Sequence, residues 1–267
     1  GRKIFVPRGV SLVREGDSYR VDDEQAERST AALIQSIWNK WSPPLYMYHF
    51  RPRGHVAALK VHVEKKFFAK IDLTDFYGSV TRTKVHRVLK NIGFSNSAAF
   101  KIAGESTVKY GSRVCLPMGF RQSPVLASVT LDTSLFGSIL RRNELHSNIS
   151  IFMDDILLSD DDEDALAESY IQARSALAMS GFEVNLQKSS GPSKHVECFN
   201  ILMSRDGLRF TDERLARFAR EGVAFINSLR KDNKEALYRK CYGNYIESIN
   251  KMQGQFIEMI VMGADKR

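Results

Sequence analysis

Apolar positions recur at helical spacing in four stretches of the chain. Residues 22–41 carry an apolar stripe behind an acidic first turn, which predicts an amphipathic helix. Residues 123–142 predict a second helix, with Ser123 as its N-cap and a proline in its first turn. Residues 163–180 predict a third helix, and the stretch from residue 211 to the end is amphipathic with a helical period.

Shorter alternating runs lie between these helices and predict strands. Residues 66–73 alternate between two faces and predict a strand that carries Asp72 near its end. Two β-type runs within residues 149–159 flank the sequence MDD at 153–155, which predicts a hairpin with acids at its tip. Residues 182–204 predict further short strands. This order of elements is typical of an α+β fold with a C-terminal helical subdomain.

The composition is that of a folded and basic protein. The 267 residues include 39 Lys and Arg against 31 Asp and Glu, which gives a formal net charge of +8 and a pI of about 9.4. A hydrophobic content of 43% suits a globular chain of one large or two small domains. The basic balance is compatible with a polyanionic partner such as nucleic acid. No apolar run approaches the roughly 18 residues that cross a bilayer, so we expect no membrane partner.

The three cysteines and six histidines show no metal-binding spacing. Cys115, Cys198 and Cys241 are far apart, which favours a reducing compartment, and we expect a cytoplasmic protein. We expect the histidines to be structural or to lie on the surface.

Three acids stand in or beside apolar β-runs, where an unpaired carboxylate is costly. They are Asp72 and the pair Asp154-Asp155. Carboxylates without a matching His or Cys favour a hard divalent ion, most simply Mg²⁺, with Mn²⁺ as the alternative. Two such ions roughly 3.5–4 Å apart would suit phosphoryl or nucleotidyl transfer. A single Asp-Asp pair is weak evidence, because residues 160–164 contain further pairs that we interpret as a solvated helix start capped by Ser159 or Asp160.

Five segments, in order, resemble motifs of the reverse transcriptase family, especially its bacterial branch of retron, group II intron and phage-defence enzymes. The segments are FAKIDLTDFY (68–77), LPMGFRQSP (116–124), FMDD (152–155), GFEVNLQK (181–188) and CFNILMS (198–204). The resemblance covers roughly residues 50–207. It implies a right-hand polymerase palm at 67–207, partial fingers at 1–66 and a short helical thumb at 208–267.

The resemblance also implies a role for each acid. Asp72, Asp154 and Asp155 would be the catalytic acids and, with the backbone carbonyl of Leu73, the metal ligands. Within this set, Asp72 and Asp154 would bind the metals and Asp155 would support them.

A second set of residues would bind the dNTP. Tyr77, five positions after Asp72, matches the steric gate that crowds a ribose 2′-hydroxyl and favours dNTPs. The other members implied by the resemblance are Gly119, Gln122, Lys188 and Arg2. Arg2 belongs to a segment, RKIFVP, that resembles a fingers strand. The fingers of bacterial relatives begin earlier, so we expect this chain to be trimmed or unusually short there.

One position departs from the family pattern. Met118 stands where the family usually has Gln, and methionine cannot donate the corresponding hydrogen bonds. Template use, fidelity or sugar choice is therefore expected to be unusual.

The implied function is an RNA-directed DNA polymerase that adds dNTPs to a 3′-hydroxyl by a two-metal mechanism, in bacterial antiphage defence. Its partners would be an RNA template, a DNA or RNA primer and, as a further candidate, a dedicated non-coding RNA. One alternative keeps the palm but makes it a template-independent or protein-primed DNA polymerase, or an RNA-dependent RNA polymerase. A second alternative is a non-catalytic nucleic-acid-binding module with vestigial acids.

Overall fold

The computed structural model describes residues 12–15, 18–21, 24–229 and 233–264, with side chains from residue 28 onward. The strands are β1 (Leu12–Glu15), β2 (Ser18–Val21), β3 (Phe67–Thr74), β4 (Val108–Tyr110), β5 (Arg113–Cys115), β6 (Asn148–Phe152), β7 (Asp155–Asp160), β8 (Glu183–Val184), β9 (Ser190–Ser193), β10 (His195–Cys198), β11 (Ile201–Ser204) and β12 (Gly207–Phe210).

The helices alternate with these strands in an α+β order. They are α1 (Glu24–Trp38), α2 (Gly54–Lys60), α3 (Arg82–Asn91), α4 (Asn96–Glu105), α5 (Ser123–Asp132), α6 (Leu135–Arg141), α7 (Glu163–Met179), α8 (Asp212–Ser228), α9 (Lys234–Tyr238), α10 (Asn244–Ile249) and α11 (Lys251–Ala264). A π-helical turn, Arg239–Gly243, joins α9 to α10.

A five-stranded antiparallel sheet forms the centre of the molecule. β7 pairs with β6 on one side and β3 on the other, and β3 then pairs with β8 near its end and β9 near its start. Strands β10, β11 and β12 form a separate antiparallel sheet, and β4 pairs with β5.

Strand β3 is buried on both faces, which explains its apolar composition. Ala69 and Ile71 belong to one core, shared with α5 and α7. Phe68 belongs to a second core, shared with Leu157, the small sheet and helices α8 and α11. The strand predicted at 66–73 is confirmed, as is the hairpin with acids at its tip.

The helix predicted over 123–142 is two helices that meet at an angle of 67°. Ser134 opens the second helix, because its hydroxyl accepts a hydrogen bond from the Gly137 amide. A side chain at Gly137 would meet the carbonyl oxygen of Asp132 at 1.9 Å, so glycine permits the sharp bend. The apolar spacing in the sequence continues across this break, so periodicity alone predicted a single helix.

Two predicted caps are wrong. Gln122, and not Ser123, precedes α5, because the Ser123 hydroxyl donates instead to the Pro117 carbonyl at 2.7 Å. Helix α7 is capped by Asp162, whose carboxylate accepts from the amides of Asp164 and Ala165, because β7 continues to residue 160 before the helix can begin.

The C-terminal region is helical, as predicted, but in separate segments. α8 packs against α11, and the three segments between them include the π-helical turn. The division into fingers, palm and thumb at residues 66 and 207 stays a prediction.

No single helix in the described part of the chain is long and apolar enough to cross a membrane. Helices α5 and α6 pass that test only when taken together, by length and composition, and the residues of α5 from Val125 to Asp132 are buried inside the molecule.

Candidate active site

The three acids singled out by the sequence lie together at one end of the central sheet. Asp72 on β3 is opposite Asp155 on β7 in the antiparallel register. The Leu73 amide donates a hydrogen bond to the Asp154 carbonyl at 3.1 Å. The end of β3 and the tip of the β6–β7 hairpin are thus joined through their backbones, although 82 residues separate Asp72 from Asp154.

The segment after α7 closes the other side of Asp72, whose side chain is only 7% exposed. The Asn185 amide donates to the Asp72 carbonyl at 2.8 Å, and the Asp72 amide donates to the Ser189 hydroxyl at 3.0 Å. Lys188 lies between these two anchors in the chain. The fourth motif-like segment is therefore fixed against the strand that carries the first acid.

The tip of the hairpin is held from outside by His49. Met153 has a left-handed backbone, with φ of +59°, and its amide donates to Nδ1 of His49 at 3.1 Å. Nδ1 is therefore unprotonated, and Nε2 donates to the Ser128 hydroxyl at 2.8 Å, which in turn donates to the Pro124 carbonyl. Burial lowers the pKa of His49 to about 4, so the ring is neutral at pH 7. This chain of hydrogen bonds connects the hairpin tip to the start of α5.

The carboxylates are crowded. Burial raises the pKa of Asp154, and the charges of Asp155 and Asp72 raise it further, whereas Lys188 lowers it. Asp155 has a cation of its own, because Lys70 Nζ lies 2.8 Å from its Oδ1. Both partners are mostly buried, with the Lys70 side chain 14% exposed. Asp155 is thus partly neutralised within the protein, while Asp154 and Asp72 have no such close partner among the described ion pairs.

The donor atoms at the site are of the kind that bind a hard divalent ion. In the described residues, no group of three or more His, Cys, Asp or Glu side chains is arranged to hold a metal. The acids that line the cavity are Asp72, Asp75 and Asp154; Asp75 is paired with Arg113, which leaves Asp72 and Asp154, together with the backbone of Leu73, as candidate ligands. Two carboxylates and a carbonyl form a set of hard oxygen donors, which Mg²⁺ typically completes with water and substrate phosphates. Burial, together with the charges of Asp155 and Asp72, raises the pKa of Asp154, so a bound cation would stabilise its charged form.

A cavity of about 670 Å³ opens beside the acids. It is lined by Asp72, Leu73 and Asp154 and, from the expected dNTP-binding set, by Tyr77 and Lys188. Burial raises the pKa of Tyr77 to about 12, and the charge of Asp154 adds to the shift, which places its hydroxyl near the acids.

Two other members of that set do not line this cavity. Gln122 is buried, and its amide group lies 3.5 Å from the Ser106 hydroxyl. Gly119 has φ of +101°, a left-handed conformation that favours glycine, in the turn before α5. Arg2 lies outside the described residues. Met118 does line the cavity, and its side chain is 54% exposed.

Three residues at the site were missed by sequence reasoning. His49 was one of six histidines expected to be structural, and its partners Ser128 and Met153 are 79 and 104 residues away. Lys70 could have been noticed as a lone cation in a strand buried on both faces. Arg113, which also lines the cavity, belongs to a short hairpin that carries no chemical signature.

Comparisons with known sequences agree with the geometry. A family model described as "Reverse transcriptase (RNA-dependent DNA polymerase)" matches residues 16–202. The retron Mx65 reverse transcriptase of Myxococcus xanthus is 30% identical over 146 residues, which cover 48% of this chain and 33% of that protein. The match therefore spans about a third of the length of this curated relative.

Solved structures show the same fold. A foamy viral protease-reverse transcriptase in complex with double-stranded DNA superimposes with a TM-score of 0.50 at 14% identity, covering 98% of this chain and 45% of that one. An apo telomerase from Candida tropicalis superimposes with a TM-score of 0.51 at 11% identity, covering 78% and 57%. The predicted right-hand polymerase fold is confirmed.

Proposed function

The chain belongs to the reverse transcriptase family, and from this premise we propose that it is an RNA-directed DNA polymerase that adds dNTPs to a 3′-hydroxyl. The observation that carries the proposal is the meeting of Asp72 and Asp154 on one wall of a cavity whose volume suits a nucleotide. An RNA template and a DNA or RNA primer would occupy the surface beside this cavity.

The metal ligands in this proposal are the carboxylates of Asp72 and Asp154 and the carbonyl of Leu73, with Mg²⁺ or Mn²⁺ as the ion. Bound divalent ions would neutralise charge on the attacking and leaving oxygens of an in-line displacement. Asp155 has a supporting role, because its pairing with Lys70 holds the start of β7 against β3.

Two side chains and one stretch of backbone would act on the nucleotide directly. Tyr77 presents its half-buried ring to the cavity, where its bulk would exclude a 2′-hydroxyl and select dNTPs. Lys188 is close enough to Asp154 to lower the pKa of that carboxyl, and its ammonium would stabilise the departing pyrophosphate. The left-handed Gly119 would let the backbone before α5 approach the base pair.

A second candidate function is template-independent or protein-primed synthesis on the same palm. The observation that favours it is Met118, whose exposed thioether faces the cavity and cannot donate hydrogen bonds to template or nucleotide. Sequencing the products made from a dNTP mixture, with and without an added RNA of known sequence, distinguishes the two functions. A product complementary to an added RNA supports the first function, and a product of unrelated sequence supports the second.

The catalytic proposal is tested by replacing Asp154→Asn together with Asp155→Asn. We expect incorporation of dTTP on poly(rA) primed with oligo(dT) to be abolished, because the site loses one metal ligand and its supporting charge. The double change also leaves the mostly buried Lys70 without its partner, so we expect a lower thermal midpoint, and a far-UV circular dichroism spectrum at the assay temperature checks that the protein is still folded.

A matched control is the double replacement Asp160→Asn with Asp161→Asn. This Asp-Asp pair lies at the far end of β7, and Asp161 is an exposed partner of Lys65. The control should keep full synthesis. Retained synthesis in the Asp154, Asp155 variant would rule out the assignment. If wild type binds primed template but incorporates nothing, the non-catalytic alternative is favoured instead.

The retron-type relative also supports a physiological proposal, namely antiphage defence with a dedicated non-coding RNA as partner. The test is the number of plaques on cells that express the wild-type gene with its flanking sequence, compared with the Asp154→Asn, Asp155→Asn variant. Protection that survives in the variant would count against a role for synthesis in defence.

A further inference from the structure

A short hairpin brings Arg113 to the mouth of the cavity. β4 and β5 pair antiparallel, with Tyr110 opposite Arg113 across a turn that Gly111 opens at φ of +58°. The base of the hairpin is fixed to the segment that follows Asp72. Cys115 forms an isolated antiparallel β-bridge with Thr81, and the Leu116 amide donates a hydrogen bond to the Val80 carbonyl. The position of Arg113 is therefore set by backbone hydrogen bonds at both ends of the hairpin.

Arg113 is held there by an ion pair with Asp75. Its Nη2 lies 3.2 Å from Asp75 Oδ2, and the two side chains are 60% and 53% exposed. Asp75 itself is fixed, since its backbone has φ of +46° and its carboxylate covers Gly78, where an added Cβ would lie 2.1 Å from Oδ2. An ion pair this exposed contributes little to stability, so Arg113 can leave Asp75 at small cost.

The charges around the cavity show what could replace Asp75. Among the described residues that line it, the cationic side chains are Arg113 and Lys188, whereas Asp72, Asp75 and Asp154 are acidic. Lys188 lies in the chain between Asn185 and Ser189, which are hydrogen-bonded to the backbone of Asp72, whereas Arg113 is beside Asp75. A polyphosphate bound in this cavity would have both cations available to it.

We propose that Arg113 binds the terminal phosphates of the incoming dNTP by exchanging Asp75 for them, an inference that rests on the proposed function. Guanidinium groups bind phosphates through two parallel hydrogen bonds, which a single contact to Asp75 does not provide. In the free protein Asp75 keeps Arg113 extended over the cavity. When nucleotide binds, the phosphates take the guanidinium, and the half-exposed carboxylate of Asp75 stays in place in contact with solvent.

The test is the affinity for dTTP of protein bound to poly(rA) and an oligo(dT) primer that ends in a dideoxynucleotide, so that dTTP binds without reacting. Arg113→Gln keeps a polar side chain but removes the charge, and we expect it to raise the Kd for dTTP on the order of 10- to 100-fold. Thymidine monophosphate, which lacks the terminal phosphates, should bind both proteins equally. Arg113→Lys should give an intermediate Kd.

Lys109→Ala is the matched control. Lys109 is an exposed cation on the same hairpin that does not line the cavity, so its removal should leave the Kd for dTTP unchanged. An unchanged Kd for dTTP in Arg113→Gln, with wild type active, would overturn the inference and leave the proposed function intact. Weaker binding of the primed template in place of dTTP would also overturn it. A wild-type protein that incorporates no dTTP overturns the proposed function itself.

Discussion

Replacing His49 with phenylalanine tests whether the hairpin tip is positioned through the ring of that residue. Phenylalanine keeps the ring that packs on Phe50, with centroids 4.1 Å apart, but has neither nitrogen. The Met153 amide then loses its acceptor, and the Ser128 hydroxyl loses one donor while keeping its bond to the Pro124 carbonyl.

The size of the effect follows from these two bonds. An unpaired donor in a partly buried site costs about 1–3 kcal/mol, and a lost neutral hydrogen bond costs roughly 1 kcal/mol. We expect the free energy of unfolding to fall by about 2–4 kcal/mol, which leaves a domain of ordinary stability folded. If about 2 kcal/mol of this acts on the position of the tip, the ratio of molecules with Asp154 in place to molecules with it displaced falls roughly 30-fold. The kcat should fall by up to that factor, with little change in KM for dTTP, because His49 does not line the cavity.

Two conservative variants separate the two bonds. The amide oxygen of asparagine can occupy the place of Nδ1, so His49→Asn can still accept from Met153. The amide nitrogen of glutamine can occupy the place of Nε2, so His49→Gln can still donate to Ser128. Urea unfolding and steady-state dTTP incorporation on poly(rA) primed with oligo(dT) measure both effects. We expect His49→Asn to recover most of the kcat and His49→Gln to recover little. Equal kcat in the two variants, or full kcat in His49→Phe, would refute the reasoning.

Two further predictions concern sugar selection and acid stability. Tyr77→Val removes the ring that narrows the cavity. The preference for dTTP over UTP in kcat/KM should therefore fall at least 10-fold, or roughly the discrimination that a pocket wall provides. An unchanged ratio would show that the ring does not face the sugar. Burial lowers the pKa of His62 to about 4 from an unfolded value near 6.5. The stability contributed by neutral His62 is therefore complete above pH 6.5 and is lost as the pH falls toward 4. The loss amounts to up to about 3 kcal/mol. Urea unfolding at pH 7.5 and pH 5 should therefore show a smaller acid loss in His62→Gln than in wild type, and parallel losses would contradict the assignment.

Local signals predicted much of the fold. The strand at 66–73 and the hairpin around Met153 follow from alternation over a few residues, which tertiary structure did not override. The break between α5 and α6 was missed because apolar spacing continues across it, while the decisive contact joins the Gly137 position to the Asp132 carbonyl. Helices α3 and α4 begin at the caps Thr81 and Ser95, but their mixed composition gave no prediction there.

The candidate site likewise contains residues that the sequence predicts and residues that it does not. Asp72 and Asp154 are conspicuous in the sequence because a carboxylate in an apolar strand is unusual. Lys70, His49 and Arg113 are ordinary residues in sequence, and they gain meaning only from partners that the fold brings near. Sequence periodicity cannot predict such contacts, since the number of residues between the two partners depends on the long connections that bring the chain back to the sheet.

The pairing of β3 with β7 means that the number of residues in β3 decides on which face of the sheet Asp72 lies. Six consecutive pairs run from Phe67 opposite Asp160 to Asp72 opposite Asp155, and the faces of β3 alternate along them. Losing one residue anywhere in that run would turn the remainder of the strand over, sending the carboxylate of Asp72 toward the apolar core shared with α5 and α7. Whether Asp72 reaches the cavity beside Asp154 thus depends on whether the number of residues in this run is odd or even. Changes in length can be absorbed by loops such as residues 142–147, but within β3 they must come in twos.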